Sequence, residues 1–377
     1  MHNNKTVLYI GGFQLPDKNA AAQRVLGIAK GIRNEGLDVR FINSLKVCTD
    51  SAQNKEYFGF SVFEYKRENN IDYLIGARTA ISLIKKEKPI AVIAYNYPAI
   101  ALNRIRKYCK KNNIKCMADV TEWPEAGGGV MHRIIKRMDT AFRMKYVHKR
   151  VDSIIAISRF LLDYYKPYVP VVLIPPTVDI TDEKWMTKSK KTTGQKSFVY
   201  AGSPSALKER LDIIVDAINK LSTSSPIILH IVGITKEEFI KMYLWDKEIP
   251  ETVIFWGRVS HREAIRVVKD STCSIILRDN NSVVKAGFPT KLVESISCGT
   301  PVIINKFSNI CDYLCDDNSI VIENYSDIQK AIKIATEKEF DVDHTIFDYR
   351  NFCCQFRALF GDLYDGQETS YEKSSIK

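Results

Sequence analysis

The sequence has no run of eighteen or more apolar residues, so no part of it is suited to crossing a bilayer as a helix. Its first residues, MHNNKTVLYIGG, have no cationic head, apolar stretch or small-residue cleavage site of a secretory signal, and a cytoplasmic location is expected. Nine cysteines, at 48, 109, 116, 273, 298, 311, 315, 353 and 354, show none of the paired spacings of a zinc site. They read as reduced, mostly buried thiols. No three-glycine turn opens directly into a helix after a strand, which removes the dinucleotide fingerprint and with it a nicotinamide oxidoreductase. No internal repeat is evident. What is present is globular: 45% hydrophobic and 26% charged residues exclude a disordered, collagen-like or low-complexity chain, and 377 residues predict two domains.

Charge is unevenly placed. Residues 1–180 carry 29 Lys and Arg against 16 Asp and Glu, a net +13, whereas 181–377 carry 26 against 28, a net −2. An anionic partner of the first half is expected, whether nucleic acid, a phosphate-bearing small molecule or an anionic membrane surface. β-Branched or aromatic runs at 6–10, 38–42, 90–95, 115–119, 153–157 and 171–174 alternate with helical-period segments such as 21–35 and 99–112. A polar stretch over 177–197 reads as an interdomain linker, after which strands resume at 197–202, 227–233, 252–257, 273–278, 301–305 and 319–323. The fold class is α/β, with two Rossmann-like parallel-sheet domains, 1–176 and 198–345. An aromatic tail over 346–364 predicts one buried helix carrying Phe347, Phe352, Phe356, Leu359, Phe360 and Leu363 near one face.

Four segments carry candidate chemistry. After the first strand, Gly11 and Gly12 form either a plain tight turn or a turn lining a cleft. In YAGSPSALKERLDIIVDAI, Gly202 and Ser203 offer free amides and Lys208 stands before a helix, as a phosphate seat or as a solvated loop lysine. In KAGFPTKLVESISCGTPVI, Gly287, Phe288, Pro289 and Thr290 break into a helix at about Lys291, with Glu294 one turn further on. A phosphate on that helix start and a ribose on Glu294 is one reading; a dipole-matched acid with a surface lysine is the other. In MADVTEWPEAGGG, Asp119, Glu122 and Trp123 follow a strand and offer carboxylates and a ring platform to a sugar, or a helix cap.

The order of the Gly-Gly turn, ISRFLLDYY, VLIPPTVD, YAG with Lys208, FWGRV, and GFPTKLVES with CGTPVI resembles the retaining GT-B glycosyltransferases of family 4, those of bacterial capsular and lipopolysaccharide sugars most of all. The resemblance runs from 7 to 303, with its specific part over 198–303. It implies a nucleotide-sugar donor on the second domain, with Glu294 on the ribose, Lys208 and Lys291 on the diphosphate, and Arg258 and Val259 in the loop against the nucleobase. It implies acceptor binding on the first domain and a last helix that crosses back to it. Two departures stand out. Ala286 occupies the place where many members carry another glutamate, and Ser203 the place of a frequent arginine. A PTK-type variant of the family lacks the same groups and uses Lys291 instead.

In this chemistry, cations and helix-terminal amides act where negative charge grows on the leaving phosphate. No cofactor is expected, and no DxD arrangement of aspartates offers a metal seat. The implied activity is transfer of a sugar, with retention, from a nucleotide-sugar to a saccharide acceptor, lipid-linked, in cell-surface polysaccharide synthesis. The alternatives are a GT-B sugar-nucleotide epimerase and a basic nucleic-acid-binding protein. Against the latter, the basic residues are not interleaved with aromatic stacking groups, and nucleic acid is not the expected partner. The stretch HRIIKRMDTAFRMKYVHKR, 132–150, predicts an amphipathic helix with Ile134, Ile135, Met138, Ala141 and Phe142 on one face. Arg133, Lys136, Arg137, Arg143, Lys145, Lys149 and Arg150 surround it, either as for peripheral binding to an anionic membrane or as an ordinary solvated basic face with Ile134, Met138 and Phe142 packed on the first domain's core.

Overall fold

The computed structural model describes residues 5–16, 19–45, 53–67, 71–123, 129–186, 195–206, 208–222 and 227–361. Parts of three expected features lie outside them: 187–194 of the linker, 362–364 of the tail and 124–128 after Trp123. The first sheet comprises β1 (Thr6–Gly11), β2 (Asp38–Leu45), β3 (Gln53–Tyr57), β4 (Phe60–Lys66), β5 (Ala91–Tyr95), β6 (Lys115–Val120), β7 (Ser153–Ala156) and β8 (Val171–Leu173), in the order β3-β4-β2-β1-β5-β6-β7-β8. All its pairings are parallel except β3 with β4. The second sheet comprises β9 (Lys196–Ala201), β10 (Ile227–Val232), β11 (Val253–Gly257), β12 (Cys273–Ile276), β13 (Val302–Asn305) and β14 (Ser319–Ile322). It is parallel throughout, in the order β11-β10-β9-β12-β13-β14.

Near-continuous apolar runs such as VLYI and VIIN suit strands covered by helices on both faces, and β1 and β13 are buried along their whole length. The hairpin of β3 and β4 was not expected from the sequence. QNKEY has no β-branched residue, and the chain turns at Phe58 and Gly59, both with positive φ (52° and 73°).

The chain passes between the sheets twice, and the two passages lie side by side. The Val178 amide donates to the Phe347 carbonyl at 2.9 Å, and the Tyr349 amide donates to the Val178 carbonyl at 2.9 Å. Both passages lean on one helix, Ala20–Asn34, at glycines four residues apart and therefore on one face. A Cβ on Gly27 would lie 2.5 Å from Thr177 Oγ1, and one on Gly31 would fall within the ring of Phe356. The tail is a short turn, Tyr349–Phe352, followed by a helix over Cys353–Phe360. Phe352, Phe356, Leu359 and Phe360 are buried in the first domain's core. Phe347 departs from the single-face expectation: it precedes the helix and packs on Tyr313 and Phe288, with ring centres 5.1 and 6.0 Å away.

Contacts that join the sheets are polar as well as apolar. Ser158 Oγ donates to the Ala286 carbonyl (2.8 Å), and the Arg159 amide donates to Asn309 Oδ1 (3.1 Å). Lys30 holds Asp179 and Asp182 at 2.8 and 2.9 Å. Lys30 and Thr181 overcome burial and keep the Asp179 carboxyl well below the usual range.

Candidate active site

In the second sheet the order of connection reverses at β9: the chain goes outward to β10 and β11, then returns to β12 on the other side of β9. The loops after β9 and β12 therefore diverge at a crevice, the place where open α/β sheets take ligands. β9 runs into Gly202, whose φ of +126° is strained for any residue with a side chain. A Cβ there would lie 2.8 Å from Lys291 Cε, so glycine lets the lysine pass beneath the turn.

Lys291 belongs to a helix over Thr290–Ser297, whose N-cap residue Pro289 supplies no side-chain cap to the first amides. Lys291 Nζ stands 3.4 Å from Glu209 Oε1 and 5.1 Å from the Tyr200 ring centre. Arg278 Nη2 donates to the same oxygen at 2.9 Å, while Glu209 Oε2 accepts from the Ser205 amide at 2.9 Å. Two cations share one buried carboxylate, so this triad has one positive charge in surplus. Burial holds the Lys291 amine below its ordinary value, against the upward pull of Glu209. Burial also opposes ionisation of Glu209, but Lys291 and Arg278 prevail and keep its carboxyl below the usual range. Neither Glu209 nor Arg278 was singled out from the sequence. They are 69 positions apart, and the adjacency of Glu209 to Lys208 was the only local signal.

The loop that carries Lys208 is fixed to the end of β12. Arg210 N donates to the Leu277 carbonyl (2.9 Å) and Asp279 N to the Lys208 carbonyl (3.0 Å). Lys208 is half-buried and Ser203 is exposed on the same turn. Glu294 lies one turn along the helix from Lys291, and its Oε1 is 3.1 Å from His261 Nε2. The same imidazole nitrogen is 3.1 Å from Gln23 Nε2 of the first domain, so these three residues span the cleft. No local pattern pointed to His261 or Gln23, because the contact between them joins positions 238 apart.

Several expected site residues are committed elsewhere. Phe288 is not free to line a donor: it is 6% exposed and meets the Tyr313 ring edge-on at 5.5 Å in the cluster between the domains. Pro289 is buried as well, which leaves Gly287 and Thr290 half-buried in that loop. Arg258 is largely exposed and paired with Glu238 (3.1 Å), and Val259 packs beside the cluster of Val199, Val232 and Ile265.

In the first domain, Asp119 corrects the reading of it as an acceptor ligand. It is fully buried, bound by Arg24 Nη2 at 2.7 Å and by Arg24 Nε at 3.1 and 3.2 Å, and it accepts a short hydrogen bond from Tyr9. Removing one member of such a pair strands the other charge, so Asp119 is a structural group. Trp123 is half-buried, edge-on to Phe160 and Tyr164 at 6.0 and 5.1 Å, and only Glu122 of the three is exposed. Gly12 is exposed at the end of β1, where a Cβ would fall on the Arg67 guanidinium.

Residues 181–345 match the family model of glycosyl transferases group 1. No curated protein matches the chain by sequence. Among solved structures, the chain is similar to sucrose-phosphate synthase of Thermosynechococcus elongatus, at 11% identity and a TM-score of 0.70 over 96% of this chain and 100% of that one. It is similar to the lipopolysaccharide outer core galactosyltransferase WaaB in its apo form, at 15% identity and a TM-score of 0.64 over 95% and 99%. It is also similar to Anabaena HepE in complex with UDP-glucose, at 12% identity and a TM-score of 0.63 over 95% and 99%. The two sheets and their cleft form a GT-B fold, its second half is matched to glycosyl transferases group 1, and the chain is a glycosyltransferase.

Proposed function

We propose that the enzyme transfers a sugar, with retention of anomeric configuration, from a nucleotide-sugar held on the second domain to a saccharide acceptor held on the first. The observation that carries this reading is the Lys291–Glu209–Arg278 triad under Gly202, a surplus cation buried at the crevice where β9 and β12 diverge. Lys208, Lys291 and the uncapped helix start at Thr290 face growing charge on the leaving diphosphate. Charge-assisted contacts preorganised there lower the barrier more than they tighten ground-state binding. Gly202 and Ser203 contribute amides, Glu294 accepts the ribose hydroxyls, and the loop at Arg258 and Val259 covers the nucleobase through its backbone. The departing phosphate takes the acceptor hydroxyl proton, so no protein nucleophile is required. In this reading lysines supply the charge that a metal supplies elsewhere, and turnover persists in a chelator. The solved HepE complexes with UDP and glucose and with UDP-glucose support a nucleotide-sugar donor.

The acceptor is lipid-linked in this proposal, and the enzyme works on the cytoplasmic face of a membrane in cell-surface polysaccharide synthesis. Support comes from the helix Val130–Phe142, which leaves Val130, Met131, Ile134, Ile135, Met138 and Phe142 exposed instead of packing them on the core. Arg133, Lys136, Arg137 and Lys145 flank this face. Arg143 does not: it is buried, with its guanidinium on the Asn96 carbonyl at 2.9 Å. No helix of the described residues is long and apolar enough to cross a membrane. An amphipathic cationic helix lying in the headgroup plane satisfies both its apolar stripe and its charge.

Thermal stabilisation by a panel of nucleotide-sugars and free nucleoside diphosphates tests the donor assignment. At least one nucleotide raises the melting temperature of the parent, and Lys291→Ala loses more than tenfold in its affinity for that nucleotide. Equal affinity in parent and variant for every nucleotide that binds would place the donor elsewhere. Epimerised donor sugar released without any acceptor would replace the transferase reading with an epimerase.

A further inference from the structure

Of the three charged side chains that meet under Gly202, two are fixed and one is not. Arg278 is held through its backbone: its amide donates to Asn305 Oδ1 and its carbonyl accepts from Asn305 Nδ2, both at 2.8 Å, and from the Tyr325 hydroxyl at 2.9 Å. Glu209 is 3% exposed. Its amide donates to the Ser205 carbonyl (2.8 Å), its Oε2 accepts from the Ser205 amide (2.9 Å) and its carbonyl accepts from the Tyr243 hydroxyl (3.2 Å). Lys291 reaches this pair on a flexible four-carbon stem. Its 3.4 Å contact with Glu209 Oε1 is longer than the 2.9 Å contact that Arg278 Nη2 makes with the same oxygen, so the lysine is the member able to change partner.

The charged and titratable groups that face the amine are Glu209 from the loop after β9, Arg278 from the end of β12, Tyr200 from β9 and Glu294 from the lysine's own helix. Burial, the largest influence, and Arg278 work against the ammonium form; Glu209 and, less strongly, Glu294 favour it. A neutral amine would bring no charge to a leaving diphosphate. Glu209 counters what burial does to the lysine, and Arg278 remains beside the acid once the lysine moves, so no unpaired carboxylate is left in the interior.

We propose that Glu209 is the positioning residue of Lys291: it holds the side chain as an ammonium beneath the Gly202 turn until a diphosphate takes it over, and Arg278 stays behind as the counter-ion of the acid. This inference rests on the reading of the crevice as the donor site and assigns how its cation is kept ready. Glu209 itself touches neither donor nor acceptor.

The test measures the affinity of the full chain for UDP-glucose and GDP-mannose between pH 6.5 and pH 9, in the parent and in Glu209→Gln. Glutamine keeps the shape of the side chain and an oxygen for the Ser205 amide. For the nucleotide-sugar that the parent binds, the variant is expected to bind as tightly as the parent at pH 6.5 and to fall at least tenfold behind it by pH 9, as Lys291 loses its proton. Adding Lys291→Arg to the variant should abolish that fall, because a guanidinium keeps its charge throughout. A loss of equal size at every pH makes Glu209 a structural support only, and a profile matching the parent shows that the lysine needs no carboxylate; either overturns the proposal. A fall that persists in the double variant assigns the titration to another group and also overturns it. Absence of binding of both nucleotide-sugars to the parent fails the donor reading itself, before any variant is compared.

Discussion

His261 Nε2 stands 3.1 Å from Glu294 Oε1, and the carboxylate proposed to receive the ribose is thus oriented by an imidazole at the start of a neighbouring helix, His261–Asp270. The same nitrogen is 3.1 Å from Gln23 Nε2 across the cleft, and because it offers either a proton to the carboxylate or a lone pair to the Gln23 amide group, the two contacts compete for it. His261→Ala is expected to weaken nucleotide binding by about tenfold, the equivalent of one charge-assisted hydrogen bond of roughly 1.5 kcal/mol. In a Glu294→Ala background the same substitution should cost almost nothing. Titration of the parent, both single variants and the double variant checks this, since additive losses would separate His261 from Glu294.

Gly202→Ala combines backbone strain with a clash on Lys291, and Gly299→Ala separates the two. Gly299 has a φ of +69° and nothing within 4 Å of where a methyl would stand, whereas the methyl at Gly202 meets Lys291 Cε at 2.8 Å. Both variants are expected to lose about 1–3 kcal/mol of stability. Only Gly202→Ala should also lose nucleotide affinity, because only there must the lysine move. Melting curves with and without nucleotide read both effects.

Cosedimentation with vesicles checks the exposed face of Val130–Phe142. Binding is expected to anionic but not neutral vesicles, to weaken with salt, and to fall when Lys136 and Arg137 are changed to glutamine. Changing Met131, Ile134 and Met138 together to serine removes the apolar contribution without touching charge. Retention of full binding in that variant would mean that the stripe does not enter the headgroup layer.

His148 predicts an acid-sensitive fold. Its ring is buried, 2.9 Å from the Tyr165 hydroxyl, and burial together with Arg143 pushes its pKa well below the ordinary 6.5. The unfolded chain takes up a proton there that the folded chain refuses. This contribution to stability is therefore complete above pH 6.5 and is lost as pH falls from 6.5 towards the lowered folded value, at up to about 1.4 kcal/mol per pH unit. Denaturation of His148→Gln between pH 5 and 7 should show a shallower dependence than the parent.

The features legible in the bare chain are local ones. Apolar strand runs, helix stops and the glycine at the end of β9 depend on neighbours along the backbone, so the two parallel sheets, the Gly202 turn and the helix carrying Lys291 and Glu294 could all be read. The polar β3 could not, because its pairing with β4 and not its own residues makes it a strand. How the charged side chains are spent was settled by long-range contact. Asp119 and Glu209 are both acids near the carboxyl ends of strands, yet Arg24 withdraws one into the core and Lys291 with Arg278 makes the other the base of a cationic site. A buried charge takes its role from whichever opposite charge the fold brings to it, and the partners here lie 69 to 95 positions away, a separation that only folding closes.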